Sequence, residues 1–249
     1  MSIVIKTAEQ TDKMRLAGNV VAKTFEYLQP HIKPGITTLK LNNLAEAFIL
    51  KMGAVPSFKG YHGYPGAICT SVNDEVVHGI PSERILLDGD ILSIDIGAYL
   101  NGYHGDAAKT YPVGKISTEN QKLINVCRES FYEGLKFAKE GFHLHDIGEA
   151  IQKHVEANGF SVVRDFVGHG IGANMHEAPQ IPNYRPKNRG PKLSRGMTLA
   201  IEPMINAGTY DVYIVSDDGW TVKTADGENS SHYEHTVLIT NAEPEILTK

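Results

Sequence analysis

The apolar run ILSIDIGAYL (91–100) carries a single charge, Asp95, at its centre, and MTLAIEPMI (197–205) repeats the anomaly with Glu202. A carboxylate inside such a strand must be paired or must bind a metal, because burying it alone is expensive. Two further carboxylates, Asp106 in GYHGDAAKTY and Glu234 in SHYEHTVLIT, stand in β-rich contexts. Taken alone, Asp106 reads as an edge residue facing solvent. As a set, the four are expected to converge from four strands, two from each half of the chain. Four negative charges repel unless cations lie between them, and two divalent ions would cancel the formal charge. Two ions about 3.5–4 Å apart supply a hydroxide that is nucleophilic at neutral pH, which predicts metal-assisted hydrolysis.

Ligand softness limits the choice of ion. Carboxylates with an imidazole suit Mn, Fe, Co or Zn, and no cysteine is placed for a thiolate site. His169 and His176 lie in GHGIGANMHEAP (168–179), a glycine-rich stretch that reads as a loop rather than a helix. Single loop histidines are usually only solvated. His78, however, shares the tripeptide His-Gly-Ile with His169, which lifts both above the background. Other histidines, such as His145 and His154, fall on predicted helices and read as surface residues. The cluster FKGYHGYPGAIC (58–69) is dense in aromatics and glycine; it is either an ordinary loop or one wall of a small-substrate pocket.

The elements that must position these residues occur twice. Setting 33–54 above 139–160 places Gly35 on Gly141 and Gly53 on Gly159 without gaps. LLDGDILSIDIG (86–97) aligns with LSRGMTLAIEPM (193–204), so that Asp95 falls on Glu202, and GDAAKT sits against YEHTVL, with Asp106 opposite Glu234. The matches run in the same order in both halves, which chance does not produce. The chain reads as one catalytic domain, 1–249, of two related halves, about 1–113 and 114–249. Each half is helix, helix, then strands. Capping boxes at Thr7–Gln10 and Thr118–Gln121 open helices over about 8–29 and 119–139. Second helices are expected over about 38–52 and 145–158, stopped at Gly53 and Gly159. Alternation of Ile91, Ser93 and Asp95 against Leu92 and Ile94, and the run Tyr233–Thr240, read as strands. The class is α+β, with helices backing an antiparallel sheet.

Composition excludes several function classes. The 249 residues are 41% hydrophobic and 21% charged, an ordinary globular balance. A net charge of −5 argues against bulk DNA or RNA binding. Two cysteines make no disulfide framework and fit a reducing, cytoplasmic setting. Neither a secretory leader nor a membrane-spanning run is visible.

Together the motifs GYHGYPGAICTSVNDEVVHGIP, GDILSIDIG, GYHGDAAKT, GHGIG…MHEAPQIPNY, GMTLAIEPM and YEHTVLIT resemble the methionine aminopeptidases, in their short bacterial type I form, over essentially the whole chain. The resemblance implies the pita-bread fold with its internal pseudo-twofold. It implies five metal ligands: Asp106 and Glu234 bridging two ions, Asp95 chelating one, and His169 with Glu202 holding the other. It also implies that His78 and His176 contact the scissile amide and stabilise the oxyanion, and that Glu202 serves as acid/base. Tyr61, Tyr64, Cys69, Met175 and Trp220, joined by Phe58, would line the methionine pocket. Better-known bacterial members often carry an aromatic at the position of Met175 and a Cys at that of Phe58.

The implied substrate is the initiator methionine of nascent chains with a small second residue. By that rule the chain's own Met1-Ser2 start would be one. A monomer with transient ribosome association is also implied. Two rivals on the same fold are an Xaa-Pro aminopeptidase or prolidase and a non-enzymatic peptide-binding module. The first usually carries an additional N-terminal domain, and the second has lost ligands that are intact here. Type II methionine enzymes have a helical insert for which the stretch between Glu202 and Glu234 is too short.

Overall fold

The computed structural model describes residues 2–249; Met1, and with it the expected cleavage at Met1-Ser2, lies outside the described residues. The first half contributes helices α1 (Ala8–Leu28) and α2 (Thr38–Lys51). Its strands are β1 (Val55–Pro56), β2 (Cys69–Val72), β3 (Glu75–Val77), β4 (Ile91–Leu100) and β5 (Tyr103–Pro112). The second half begins again with α3 (Thr118–Leu135) and α4 (Leu144–Ala157). There follow β6 (Ser161–Val162), β7 (Gly168–Gly170), β8 (Glu177–Ile181), β9 (Thr198–Ile201) and β10 (Met204–Asn206). The chain ends with β11 (Val212–Ile214), β12 (Val222–Thr224), β13 (Ser230–His232), β14 (His235–Leu238) and β15 (Glu245–Ile246).

All strand pairings among the described residues are antiparallel, divided among four sheets. Two of them matter for the site: β4 with β1, β2 and β5, and the order β15-β14-β9-β7-β8. The class is α+β, as the pattern of helices followed by strands requires.

The alternation along β4 decides what faces what. Leu92, Ile94, Ile96 and Ala98 pack with Val21, Phe25, Leu41 and Ile49 of α1 and α2. The opposite face carries Ile91, which joins the core formed by α3, α4, β9 and β14, then Ser93, then Asp95. Because successive strand residues point to opposite faces, a carboxylate in phase with Ile91 must point toward the second half. Hydrogen bonds then join the halves. Ala108 and Glu234 exchange both backbone bonds, at 3.3 and 2.8 Å. Thr236 Oγ1 donates to the Asp106 carbonyl at 2.9 Å, and Thr110 Oγ1 donates to that of His232 at 2.9 Å.

Four expectations need correction. The cap of α3 is Ser117, whose Oγ accepts the Asn120 N–H at 3.0 Å; Thr118 is the first helical residue. The same helix ends at Leu135 and not near 139, because the Phe137 and Ala138 N–H groups turn back to Gly134 and Leu135 in three-residue turns. MTLAIEPMI is two strands, since Pro203 has no N–H to continue the ladder, and Tyr233–Thr240 is likewise broken at Glu234 by its pairing with Ala108. The other bounds agree within a residue. Thr7 and Gln10 form the reciprocal capping box, and Gly53 and Gly159 adopt the left-handed backbone (φ 79 and 86) that ends their helices.

Replacing the true cap should be felt and replacing its neighbour should not. Ser117→Ala is expected to lower unfolding stability by about 1 kcal/mol, whereas Thr118→Ala should change it by less than about 0.5 kcal/mol. Urea unfolding of the two variants separates these outcomes.

Candidate active site

The thirteen residues singled out from the sequence all line one cavity of about 450 Å³. Its floor is acidic. Asp95 sits mid-strand in β4, opposite Cys69 of β2, and Asp106 sits in β5 opposite Gly97. Glu202 and Glu234 come not from strands but from the junctions where β9 gives way to β10 and β13 to β14. Each lies one step beyond the last registered pair of β9 and β14, Ile201 with His235. Asp106 is 3% exposed and Glu234 1%, so Asp106 is not the solvent-facing edge residue it resembles in isolation.

His169 is in a strand, β7, rather than a loop, which corrects the reading of its glycine-rich surroundings. The glycines are there for close approach. A Cβ at Gly168 would collide with the Ala200 carbonyl oxygen, and one at Gly170 with that of Ala178. His169 Nδ1 lies 2.9 Å from the Gly170 carbonyl, which can only accept, so Nδ1 carries the hydrogen. Nε2 is therefore an open lone pair. It faces Asp106 Oδ2 at 3.7 Å and Glu202 Oε1 at 3.6 Å. His169, Asp106 and Glu234 present ligand atoms within 4.8 Å of one another.

No lysine or arginine among the described residues comes within 4.0 Å of the four carboxylates; only His169 and His232 do. Asp95 Oδ1, Asp106 Oδ1 and Glu234 Oε1 are buried without a hydrogen-bond partner. Burial raises the Asp95 carboxyl to about 7. Burial also pushes Asp106 well up, reinforced by the Glu234 and Asp95 charges. Glu202 and Glu234 are raised for the same reasons, burial first and neighbouring carboxylates second. Unpartnered oxygen atoms, an open imidazole nitrogen and uncompensated negative charge together form a donor set that fits divalent cations.

The walls are apolar. The loop 58–69 closes on itself, with the Gly60 N–H bonded to the Tyr64 carbonyl at 2.8 Å, and presents Phe58, Tyr61, Tyr64 and Cys69. Tyr64 meets Trp220 edge-on at 5.2 Å. Trp220 is offered by the turn between β11 and β12, where Asp218 Oδ1 accepts the N–H groups of Trp220 and Thr221. Met175 completes this side. His78, in the left-handed backbone region (φ 60), stands edge-on to Phe166 and Trp220. Burial, and then the His176 charge, lowers its imidazole to about 4. His176 is at the rim, its Nδ1 2.8 Å from the Tyr61 hydroxyl and its ring centroid 4.2 Å from that of His169.

His62, Val77, Phe166, Val167 and Met204 also line the cavity. His62 belongs to the aromatic cluster 58–69 and Met204 to the GMTLAIEPM motif, whereas Val77, Phe166 and Val167 are marked in the sequence only by standing beside His78 and the 168–179 stretch. His232, which no motif marks, also reaches the floor. It is buried, with Nε2 unpartnered and 3.8 Å from Glu202 Oε2, and it lies two positions before Glu234. His145 and His154 lie on α4 away from the cavity, half-buried rather than on open surface.

The carboxylates impose a pH dependence on the metal-free chain. Asp95 keeps its proton in the fold until about pH 7 but loses it near 3.8 when unfolded, so stability present at low pH is lost as pH rises through 7. The buried histidines act oppositely. His169 and His232 are held down to about 3 by burial, so below 6.5 the unfolded chain binds the extra protons. At pH 6.5 the unfolded histidines are still half protonated, and burial holds down His78, His104 and His235 as well, so the carboxylates set the slope only above about pH 7.5. Thermal melts in chelator should therefore show Tm falling from about pH 7.5 to 8.5, a stability loss on the order of 1 kcal/mol for each carboxylate that keeps its proton in the fold. Added divalent ion should raise Tm more at pH 8 than at 6.5. A melt that is flat across this range would contradict the buried, uncompensated cluster.

Known proteins resemble this chain over its whole length. The sequence pattern of Metallopeptidase family M24 matches residues 12–241. The chain is 57% identical over 247 residues to methionine aminopeptidase 1 of Bacillus subtilis (strain 168), covering 99% of each. The crystal structure of methionine aminopeptidase from Rickettsia prowazekii superimposes with a TM-score of 0.98 at 42% identity, covering 100% of both chains. That from Thermotoga maritima gives 0.97 at 45%, again over 100% of both. Prolidase from Pyrococcus furiosus, 23% identical with a TM-score of 0.79, shares the fold alone. The fold is the pita-bread arrangement, and the chain belongs to Metallopeptidase family M24.

Proposed function

We propose that this protein is an aminopeptidase that removes the N-terminal methionine from peptides and nascent chains with a small second residue. The observation that carries the proposal is one cavity that joins an acidic, unpartnered floor to an apolar, aromatic wall. We further propose that the whole chain, 1–249, acts as one catalytic domain of two halves, about 1–113 and 114–249, with the floor between them.

Asp95, Asp106, His169, Glu202 and Glu234 would hold two divalent ions, of Mn, Fe, Co or Zn. When bound, such ions polarise the peptide carbonyl and make water nucleophilic at neutral pH. The remaining chemistry belongs to the side chains. The substrate's free α-amine would meet the carboxylate floor. Its unbranched thioether side chain would lie against Phe58, Tyr61, Tyr64, Cys69, Met175 and Trp220, which suit it by shape and polarisability. His176 is oriented by the Tyr61 hydroxyl on Nδ1, leaving Nε2 for the carbonyl oxygen as negative charge develops there. His78, neutral at working pH, would contact the scissile amide from the opposite wall. Glu202, its carboxyl raised by burial, would take the proton from the attacking water and return it to the departing amine.

No helix among the described residues is long and apolar enough to cross a membrane. A monomeric, cytoplasmic enzyme that meets nascent chains during transient ribosome association completes the proposal, with no DNA partner.

The decisive assay compares Met-Ala-Ser with Ala-Ala-Ser and Ala-Pro-Ala, in chelator and with each metal restored. Release of methionine alone, dependent on metal, is the expected result. Cleavage of Ala-Pro-Ala instead would move the protein to the prolidase branch, and no cleavage with any metal would leave only a peptide-binding role. Removing one wall should weaken binding more than chemistry. Trp220→Ala is expected to raise KM for Met-Ala-Ser by roughly tenfold with a smaller change in kcat; an unchanged KM would remove Trp220 from the pocket.

A further inference from the structure

Among the described residues, the most buried lysine or arginine ion pair lies outside the cavity. It joins the N-terminal segment to the residue that follows His176. Lys6 Nζ is 2.5 Å from Glu177 Oε2, with side chains 3% and 7% exposed. The other carboxylate oxygen of Glu177 accepts the Asn174 N–H at 3.2 Å. Lys6 is itself fixed, its backbone N–H donating to the Gly196 carbonyl at 2.7 Å. Its stem lies against Gly172, where a Cβ would come within 2.5 Å of Lys6 Cε and 2.6 Å of Glu177 Oε1. The Gly172 carbonyl is held in turn by the His104 N–H at 2.8 Å.

These contacts close the loop between β7 and β8, the loop that carries Met175 and His176. One end is anchored at His104 and the other at Lys6. Neither Lys6 nor Glu177 lines the substrate cavity. A buried ion pair is poor evidence of stability, because desolvation consumes most of the attraction and an apolar pair of similar size often serves as well. What it supplies is geometry. The pair holds Glu177, the residue bonded directly to His176, while the Asn174 N–H on the same carboxylate ties in the turn that precedes it.

We propose that Lys6, acting through Glu177, is a positioning residue for His176, holding the imidazole where it meets the substrate carbonyl. The proposal rests on the reading that His176 contacts substrate. Lys6 reaches the site from the far end of the chain, ahead of the first helix, and touches no reacting atom.

A double-mutant cycle tests it. The parent chain, Lys6→Met, His176→Ala and the double variant would be assayed on Met-Ala-Ser, with bound metal measured for each. Lys6→Met is expected to lower kcat by about 10- to 100-fold, as a small misplacement of a catalytic group does. KM and metal content should stay within about twofold. In the His176→Ala background the same change should leave kcat unaltered, since nothing remains to be positioned. Glu177→Gln keeps the size and the Asn174 bond but removes the charge. It should lower kcat less and should also lose its effect when His176 is absent, and it decides the matter if Lys6→Met does not fold. Equal losses in both backgrounds would mean general structural damage and overturn the proposal, as would an unchanged kcat. A His176→Ala chain with full kcat would overturn the role of His176, and the proposal with it.

Discussion

Asp95, Asp106, Glu202 and Glu234 share a buried floor that no lysine or arginine reaches, with Asp106 and Glu234 almost wholly removed from water. Carboxylates so placed repel one another and have lost their hydration, so their protons are held far more tightly than in water. The fold must hold this arrangement against its own electrostatics. Much of the surrounding structure is accountable as the means of doing so.

Two carboxylates come from each half, and the halves are stitched together at that level. Glu234 leaves the ladder of its own half to pair with Ala108 of the other, while Thr236 and Thr110 bond across the same seam. The break in the last strand is therefore not a defect in β-structure but the place where one half grips the other. Pro203 makes the corresponding break after Glu202. Helices on the outer faces supply the apolar packing that offsets the cost, as Leu92, Ile94 and Ile96 do against α1 and α2.

Histidines occupy the boundary between this charged floor and the apolar walls. His169 is locked by its Gly170 bond with one nitrogen free, and His176 by Tyr61. Both depend on backbone that passes unusually close to its neighbours, at Gly168, Gly170 and Gly172. A stretch that reads as a flexible loop is in fact a strand and a clamped turn, because glycine serves close approach as readily as it serves flexibility.

Much of this was legible in the residues themselves. A charge in the middle of an apolar strand, repeated at the matching position of a second half, identifies Asp95 and Glu202 because burial of an unpaired carboxylate is costly wherever it occurs. Period-two alternation assigned the faces of β4, and capping chemistry located α1. The opening of α3 was displaced by one residue, since Ser117 and Thr118 are both competent caps and only packing chooses between them. Asp106 taken alone could not be told from an edge residue and was singled out only by its repeat position opposite Glu234, while nothing local distinguished His232 from a surface histidine or the Lys6–Glu177 pair from two solvated charges. Local sequence determines periodicity, caps and chemical type, which act over a few residues. Which distant groups are brought together, and whether water reaches them, is decided only when the two halves close on each other.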